Sequence, residues 1–337
     1  MTSVLVTHAD TPVGKSVAES LIRDPNVDAV FAIGKEAPPR RLERYLRGAH
    51  ARMFYRQIDL CRHRSVSNLF NSEMFRQAGI DTVVYIPCHA VPTSDDAFLH
   101  AGLPRRVTET RLILQACLRS ELVENVIALG SAYVYRLPPG NANRLDENSQ
   151  LDMDPHIEPN IRAWIDSDMM IHGEVYNARL RVDLLRIPTV VANGGHIYFN
   201  PVLPGGKRPR MPAIGFDPMC PLVSIRDVTR AIAAALHSDR AGVFNISGNE
   251  AVPLRGLARG VPRKPSPEIF PRAGWLSGIT RLLPDISRLR RTPDSHLRYG
   301  FTLDTRAAEH ELGFRATDQI YIVRDRNGAL SFEAIPA

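Results

Sequence analysis

The chain has 337 residues, 44% of them hydrophobic and 23% charged, with a mean hydropathy of −0.16 and a formal charge of +6. That is the composition of an ordinary soluble globular protein, long enough for one large α/β domain with an appended smaller lobe. No apolar run reaches membrane-spanning length, which excludes a transmembrane segment. The first residues, Met1 to Thr7, lack the charged start and cleavage site of a secretory leader. The four cysteines (Cys61, Cys88, Cys117 and Cys220) show no metal-ligand spacing, so a reduced, cytoplasmic setting without a bound metal is expected.

The charge is uneven. Between Val252 and Phe301 ten basic residues stand against three acidic ones, and the rest of the chain is close to neutral. Arginine outnumbers lysine 38 to 4, a skew of the kind genome composition produces. The basic stretch reads as a solvated arginine-rich face, and no nucleic-acid partner is expected.

In chain order, Ser3 to Thr7 is a short apolar run. Pro12 to Ile22 follows with helical spacing at Val13, Val17, Leu21 and Ile22. Strand-like runs recur at Ala29 to Ile33, Met53 to Asp59, Thr82 to Ile86, Asn125 to Leu129 and Arg181 to Arg186. Helical periodicity fills Val107 to Leu118 before the fifth run. Strands separated by helices of this length predict βαβ units, a parallel sheet and right-handed crossovers. In that doubly wound plan the ligand crevice lies at the carboxyl ends of the strands. Pro201 to Pro221 reads as a long loop, Val228 to Leu236 as a helix, Val243 to Ser247 as a strand, and Pro262 to Pro271 as a proline-rich connector.

Eight short segments, in order, resemble a known family. They are Val4-Leu5-Val6-Thr7, Ile58-Asp59-Leu60, Asp81-Thr82-Val83-Val84-Tyr85, Ser131-Ala132-Tyr133-Val134-Tyr135, Leu185-Arg186-Ile187-Pro188, Val223-Ser224-Ile225-Arg226-Asp227-Val228, Gly242-Val243-Phe244-Asn245-Ile246 and Leu312-Gly313-Phe314. Together the chain resembles the extended, epimerase/dehydratase-type short-chain dehydrogenase/reductases. The resemblance implies a Rossmann-type doubly wound parallel sheet with a smaller C-terminal α/β lobe. It implies an NAD(P)-binding-type domain over residues 1–200, strand returns near 222–248, and a substrate or partner lobe mainly over 201–337. It also implies that Asp59 and Leu60 contact adenine, and that two helices, Val107 to Leu118 and Ile161 to Tyr176, pair two copies into a homodimer.

The departures from that family carry as much information. Its phosphate loop is Gly-x-x-Gly-x-x-Gly, whose glycines permit a tight turn and close backbone approach to a pyrophosphate. Here the segment is His8-Ala9-Asp10-Thr11-Pro12-Val13-Gly14, and only Gly14 survives. A Cβ at the first two positions crowds the phosphates, and Asp10 adds negative charge. Thr11 remains able to cap a helix that begins at Pro12. Either His8 or Lys15 reaches a phosphate in a modified site, or the turn no longer binds a dinucleotide. The weight falls on NAD(P) binding that is weakened or lost. The second strand ends in Ala32-Ile33-Gly34-Lys35 with no acid to grip a ribose. Lys35, Arg40 and Arg41 would favour a 2′-phosphate, or simply form a basic surface loop.

The family's catalytic serine, tyrosine and lysine fare worse. No tyrosine here is followed four residues later by lysine. Ser131 matches the serine. On the helix that should carry the pair, Trp164 stands at the tyrosine position and Asp168 at the lysine position. An indole N–H cannot accept a proton at neutral pH, and a carboxylate would raise a neighbouring phenol's pKa. Two alternatives remain open: a Ser131, His172, Asp168 arrangement, or a metal set of Asp166, Asp168, His172 and Glu174. His196 reads as a loop residue beside the crevice. The amphipathic stretch Ala273 to Arg291 is expected to pack over the crevice, and Arg281 to Arg298 could instead dock a partner or membrane surface. The expectation is a catalytically inactive binding, scaffolding or regulatory protein with a remnant nucleotide or metabolite pocket. It would be a homodimer or a subunit of a protein assembly. The competing expectation is an active NAD(P)-dependent epimerase or reductase rewired around Ser131.

Overall fold

A computed structural model of the chain describes residues 2–46, 52–87, 96–137, 144–155, 157–192, 196–199, 217–254, 256–257, 296, 299–324 and 330–336. Outside the described residues lie Cys88, residues 201–216 of the expected loop, the connector Pro262 to Pro271, the stretch Ala273 to Arg291 and, but for His296, the basic run Arg281 to Arg298.

Seven parallel strands form the main sheet. They are β1 (Thr2–Val6), β2 (Val27–Gly34), β3 (Met53–Gln57), β4 (Thr82–Tyr85), β5 (Asn125–Ser131), β7 (Arg181–Ile187) and β11 (Gly242–Asn245). Their order is β11-β7-β5-β4-β1-β2-β3, so the chain reverses its winding direction between β1 and β4. This is the Rossmann-type doubly wound sheet that the strand–helix alternation predicts. Along β1, Val4 and Val6 enter the core on one face, with α1 (Pro12–Leu21), α6 (Pro159–His172) and α7 (Ile225–His237). Leu5 enters the core on the other, with α3 (His63–Phe70), α4 (Glu73–Gln77) and α5 (Asp96–Arg119). Period-two alternation between two buried faces explains why these strands read as continuous apolar runs.

Local signals fix the helix ends. Thr11 is the N-cap of α1, its Oγ1 accepting from the Gly14 amide at 3.1 Å, with Pro12 in the first turn. Ser224 does the same for α7, accepting from Asp227 N at 2.9 Å. The helix α8 (Arg306–Glu311) stops at Gly313, whose φ of 65° is open to glycine at no steric cost. Phe314 then turns back, its amide donating to the Ala308 carbonyl, and buries its ring in the core.

The remaining strands lie in smaller sheets. One has the order β12-β10-β8-β9, from Ala251–Pro253, Met219–Ser224, Thr189–Ala192 and His196–Tyr198. A parallel pair joins β6 (Arg144–Leu145) to β13 (Thr302–Leu303), and β14 (Asp318–Arg324) forms a hairpin with β15 (Leu330–Pro336). A third cluster of buried residues, including Tyr133, Leu222, Phe301 and Phe332, fills this region. The loop expected through Pro221 ends earlier, because Met219 to Ser224 is β10. Proline is tolerated there because Leu222, Val223 and Ser224 carry the pairing to β8.

One buried group works against stability. Asp183, on β7, is fully buried and neither carboxylate oxygen makes a hydrogen bond. The Arg181 guanidinium stands 3.6 Å away. Burial pushes the Asp183 carboxyl up to about 7, with Arg181 offsetting only part of the shift. A carboxyl whose folded pKa is raised favours the fold below its unfolded pKa and loses that contribution as pH rises towards 7. The ceiling on the effect is about 4 kcal/mol. Asp183→Asn should therefore raise Tm by several degrees at pH 8 and flatten the decline of Tm between pH 4 and 7. A thermal melt series across that range checks both.

Candidate functional site

The crevice opens where β1 and β4 diverge, at the carboxyl ends of the strands. Thr7, the first residue past β1, ties the two strands together. Its hydroxyl donates to the Ile86 carbonyl at 3.0 Å and accepts from the Ile86 amide at 2.8 Å.

The loop after β1 keeps a glycine-type backbone without the glycines. His8 has a φ of 49°, in the left-handed region that costs a residue with a Cβ about 1 kcal/mol. Gly14 has a packing reason to survive, because a Cβ there would collide with the His8 carbonyl oxygen. The His8 ring is buried, and its Nε2 lies 3.1 Å from Glu109 Oε2 on α5. Asp10 reaches across to the end of β2, where its Oδ2 accepts from the backbone amides of Lys35 and Glu36, each at 2.9 Å. The acid missing from β2 is thus supplied by the first loop, and it is occupied by backbone. The Lys35 side chain itself is exposed.

The loop after β3 joins the same group. Asp59 Oδ1 accepts from the Cys61 amide at 3.1 Å and from Arg105 Nη2 at 3.0 Å, and Arg62 stands 3.6 Å from Oδ2. Leu60 points into the core beneath α3. Cys61 Sγ donates to Glu109 Oε1 at 3.4 Å. Burial, then the Glu109 charge, pushes the Cys61 thiol up to about 12. Glu109, with 1% of its surface exposed, is the hub that links His8 to Cys61. Asp59, Cys61 and Glu109 bring their donor atoms within 4.8 Å of one another.

At the end of β5, Ser131 is fully buried and caps a 3-10 turn, Ala132–Val134, its Oγ accepting from Tyr133 N at 3.3 Å. Trp164 is buried between Arg106, whose guanidinium lies 3.9 Å from the ring centre, and Phe199 at 5.5 Å between ring centres. Asp168 is clamped by Arg186 in a two-toothed ion pair, Nε to Oδ2 at 2.8 Å and Nη2 to Oδ1 at 2.7 Å. Both residues are at least 98% buried. Arg186 also donates to the Tyr135 hydroxyl at 3.0 Å and to the Glu147 carbonyl at 3.2 Å, and Tyr135 donates to Asn245 Oδ1 at 2.7 Å. Burial disfavours the Arg186 charge, but Asp168 and Tyr135 outweigh it and hold the guanidinium protonated. Burial lifts the Tyr135 phenol to about 12 despite Arg186, and Tyr133 also lies well above the usual phenol range. Neither phenol is a base at neutral pH.

The structure therefore spreads the other expected residues rather than gathering them. Asp168 is committed to Arg186, Asp166 pairs with Arg162 at 3.2 Å, and Glu174 accepts from Asn177 at 2.9 Å. Asp166, Asp168, His172 and Glu174 do not bring their donor atoms together. His172 is half-buried and His196 exposed. The residues that sequence reading missed are Arg105, Arg106, Glu109 and the role of Arg186. Glu109 left one trace: it lies four residues before Ile113, so it shares the buried stripe of α5.

No protein-family model and no curated protein sequence matches the chain. Solved structures do, over nearly their whole length. A UDP-glucose 4-epimerase from Bifidobacterium longum, in complex with NAD+ and UDP, is 16% identical over 94% of this chain and 93% of its own, with a TM-score of 0.66. A dTDP-glucose 4,6-dehydratase from Streptomyces venezuelae with NAD bound is 19% identical over 97% and 94%, with a TM-score of 0.65. A UDP-glucuronic acid 4-epimerase from Bacillus cereus, in complex with UDP-glucuronic acid and NAD, is 17% identical over 94% of each chain, with a TM-score of 0.63. The chain shares their fold.

Removing one partner of the buried pair leaves an uncompensated charge, which costs about 3–5 kcal/mol. Asp168→Ala should lower Tm by roughly 5–10 °C. The double change Asp168→Leu with Arg186→Met should recover most of that loss, which a double-mutant cycle of thermal melts measures.

Proposed function

We propose that this chain is a non-catalytic protein on the epimerase/dehydratase fold, a binding, scaffolding or regulatory protein with a remnant nucleotide or metabolite pocket. The observation that carries the reading is the state of the two positions where the fold's catalytic pair belongs. Trp164 is sealed under Arg106, and Asp168 is locked to Arg186. Tyr133 and Tyr135, beside Ser131, are held protonated. Ser131 therefore has no neighbouring base among these groups to complete a hydride-transfer site.

The crevice supports the same reading. A dinucleotide diphosphate would meet the His8 side chain and the Glu109 carboxylate where the fold's loop usually offers bare backbone. Its adenosine ribose would meet Asp10, whose Oδ2 is already taken by the Lys35 and Glu36 amides, while Oδ1 is buried without a hydrogen bond. The residues present do not fit the group well, so NAD(P) affinity is weakened or lost. The contact set that any residual binding would use is His8, Thr11, Pro12, Gly14, Lys35, Asp59 and Leu60. The partner is a second copy or a subunit of a larger assembly, docking on the outer face of α6, where Met169 is 48% exposed and nearby Tyr176 88% exposed.

Calorimetric titration of the full chain with NAD, NADH, NADP and NADPH tests this. The expected result is no heat at millimolar ligand, and no turnover of NADPH with any nucleotide sugar. Micromolar binding would return the chain to the enzyme reading around Ser131. In that case, preference for the phosphorylated forms would implicate Lys35, Arg40 and Arg41. In the same assay, replacing both His8 and Thr11 by glycine should increase dinucleotide affinity if those side chains are what exclude it.

A further inference from the structure

We infer that Asp59, Cys61 and Glu109 form a binding site for a divalent metal ion of the zinc class, set in the crevice beneath the first loop. The inference goes beyond the reading above and does not need it, since a metal can bind here whatever the dinucleotide does. Two elements bring the donors together, the loop after β3 and α5. No local spacing motif marks such a site, which is why the cysteines look scattered in the sequence.

The donor atoms have the right kind and separation. The set offers one sulfur and two carboxylates, and the thiolate suits it to zinc-class ions rather than to magnesium or calcium. Metal bonds of about 2.0 Å to nitrogen or oxygen and about 2.3 Å to sulfur imply tetrahedral edges of about 3.3 and 3.5 Å. The observed edge from Cys61 Sγ to Glu109 Oε1 is 3.4 Å, while the other Glu109 oxygen, Oε2, is held by His8 Nε2 at 3.1 Å. The three donors of Asp59, Cys61 and Glu109 fit within 4.8 Å.

Charge points the same way. Glu109 is 1% exposed, and among the described residues its side-chain partners are a thiol and an imidazole. A buried carboxylate is stable when a cation neutralises it. The support is already built, because Arg105 and the Cys61 amide both hold Asp59 Oδ1, as outer partners hold ligating carboxylates. His8 is held in place by a backbone that a residue with a Cβ seldom adopts. Coordination takes Cys61 as the thiolate and releases its proton to solvent.

The test is a cobalt titration of the full-length protein after stripping with chelator. One equivalent of Co2+ should bind and produce a thiolate-to-cobalt charge-transfer band in the near ultraviolet, and Zn2+ should displace it. Cys61→Ser should abolish the band. Glu109→Gln should weaken cobalt binding at least 10-fold, and Asp59→Asn serves the same purpose should Glu109→Gln fail to fold. Absence of the band in the wild-type protein would overturn the inference. So would a band that survives undiminished in Cys61→Ser, since it would then arise from another cysteine.

Discussion

The buried ion pair between Arg186 and Asp168 is the interaction on which the middle of this molecule depends. It joins β7 to α6 across the end of β5, and Arg186 extends the join to Tyr135 and to the Glu147 carbonyl. Tyr135 passes it on to Asn245 at the end of β11, and the Asn245 amide donates to Glu147 Oε1 at 2.7 Å. One guanidinium thus ties two strands of the main sheet to the helix on its face and to the segment leading into the smaller lobe. Taking two charges out of water is expensive, so such a pair lasts only where geometry and extra hydrogen bonds satisfy every donor. Here the two-toothed contact and the flanking acceptors do so.

The position of that pair matters because, on the proposed reading, Asp168 stands where the resembled family places a lysine. Lysine there would present a positive charge to the crevice. Asp168 instead turns its charge inward and consumes it against Arg186. The first loop follows the same logic. His8 keeps the left-handed backbone that a glycine would supply, yet turns its ring to Glu109 rather than leaving an open cradle for an anion. Asp10 offers its carboxylate to the end of β2, where two backbone amides take it. In each place a group that would face a ligand in the parent fold is answered by another part of the same chain.

Much of the fold could be read from the residues, and the reasons are physical. Strands buried on both faces are largely apolar, so the central members of the main sheet announce themselves in the sequence, and the edge strand β3, half exposed, is marked by Met53, Phe54 and Tyr55. Thr11 and Pro12 act through their nearest neighbours, so the start of α1 was legible, whereas α7, read from Val228, begins at Ile225 under its Ser224 cap. The smaller sheets were not, because β8, β9 and β14–β15 are short or alternate without strong boundary signals. At the candidate site one departure was plain, since no tyrosine is followed four residues later by a lysine, and aligning Ser167 with the family's small residue put Trp164 and Asp168 at the positions of that pair. Their partners were hidden. Arg186 and Asp168 are paired only by the crossing of β7 over α6, and Glu109 meets His8 only because α5 lies beside the first loop. Contacts between residues far apart in the chain are set by topology, and no periodicity encodes them.

These substitutions are mutually consistent in a way that isolated losses would not be. A lone change of the family's lysine to aspartate would bury an unpaired carboxylate, at a cost of several kcal/mol. A lone histidine at the first loop position would bring the strain of a left-handed backbone with nothing in return. Each is instead accompanied by a partner from a different element: Arg186 for Asp168, Glu109 for His8, Arg106 for Trp164. A site kept open for a ligand holds unsatisfied polar groups and strain, and stability rises when they are relieved. The internal pairs relieve part of this, since Asp168 and Trp164 are partnered, while His8 keeps a φ of 49° and Asp10 Oδ1 stays buried without a hydrogen bond. The fold survives because its apolar layers never depended on the crevice. The crevice could therefore be rebuilt, side chain by side chain, while the sheet beneath it stayed the same.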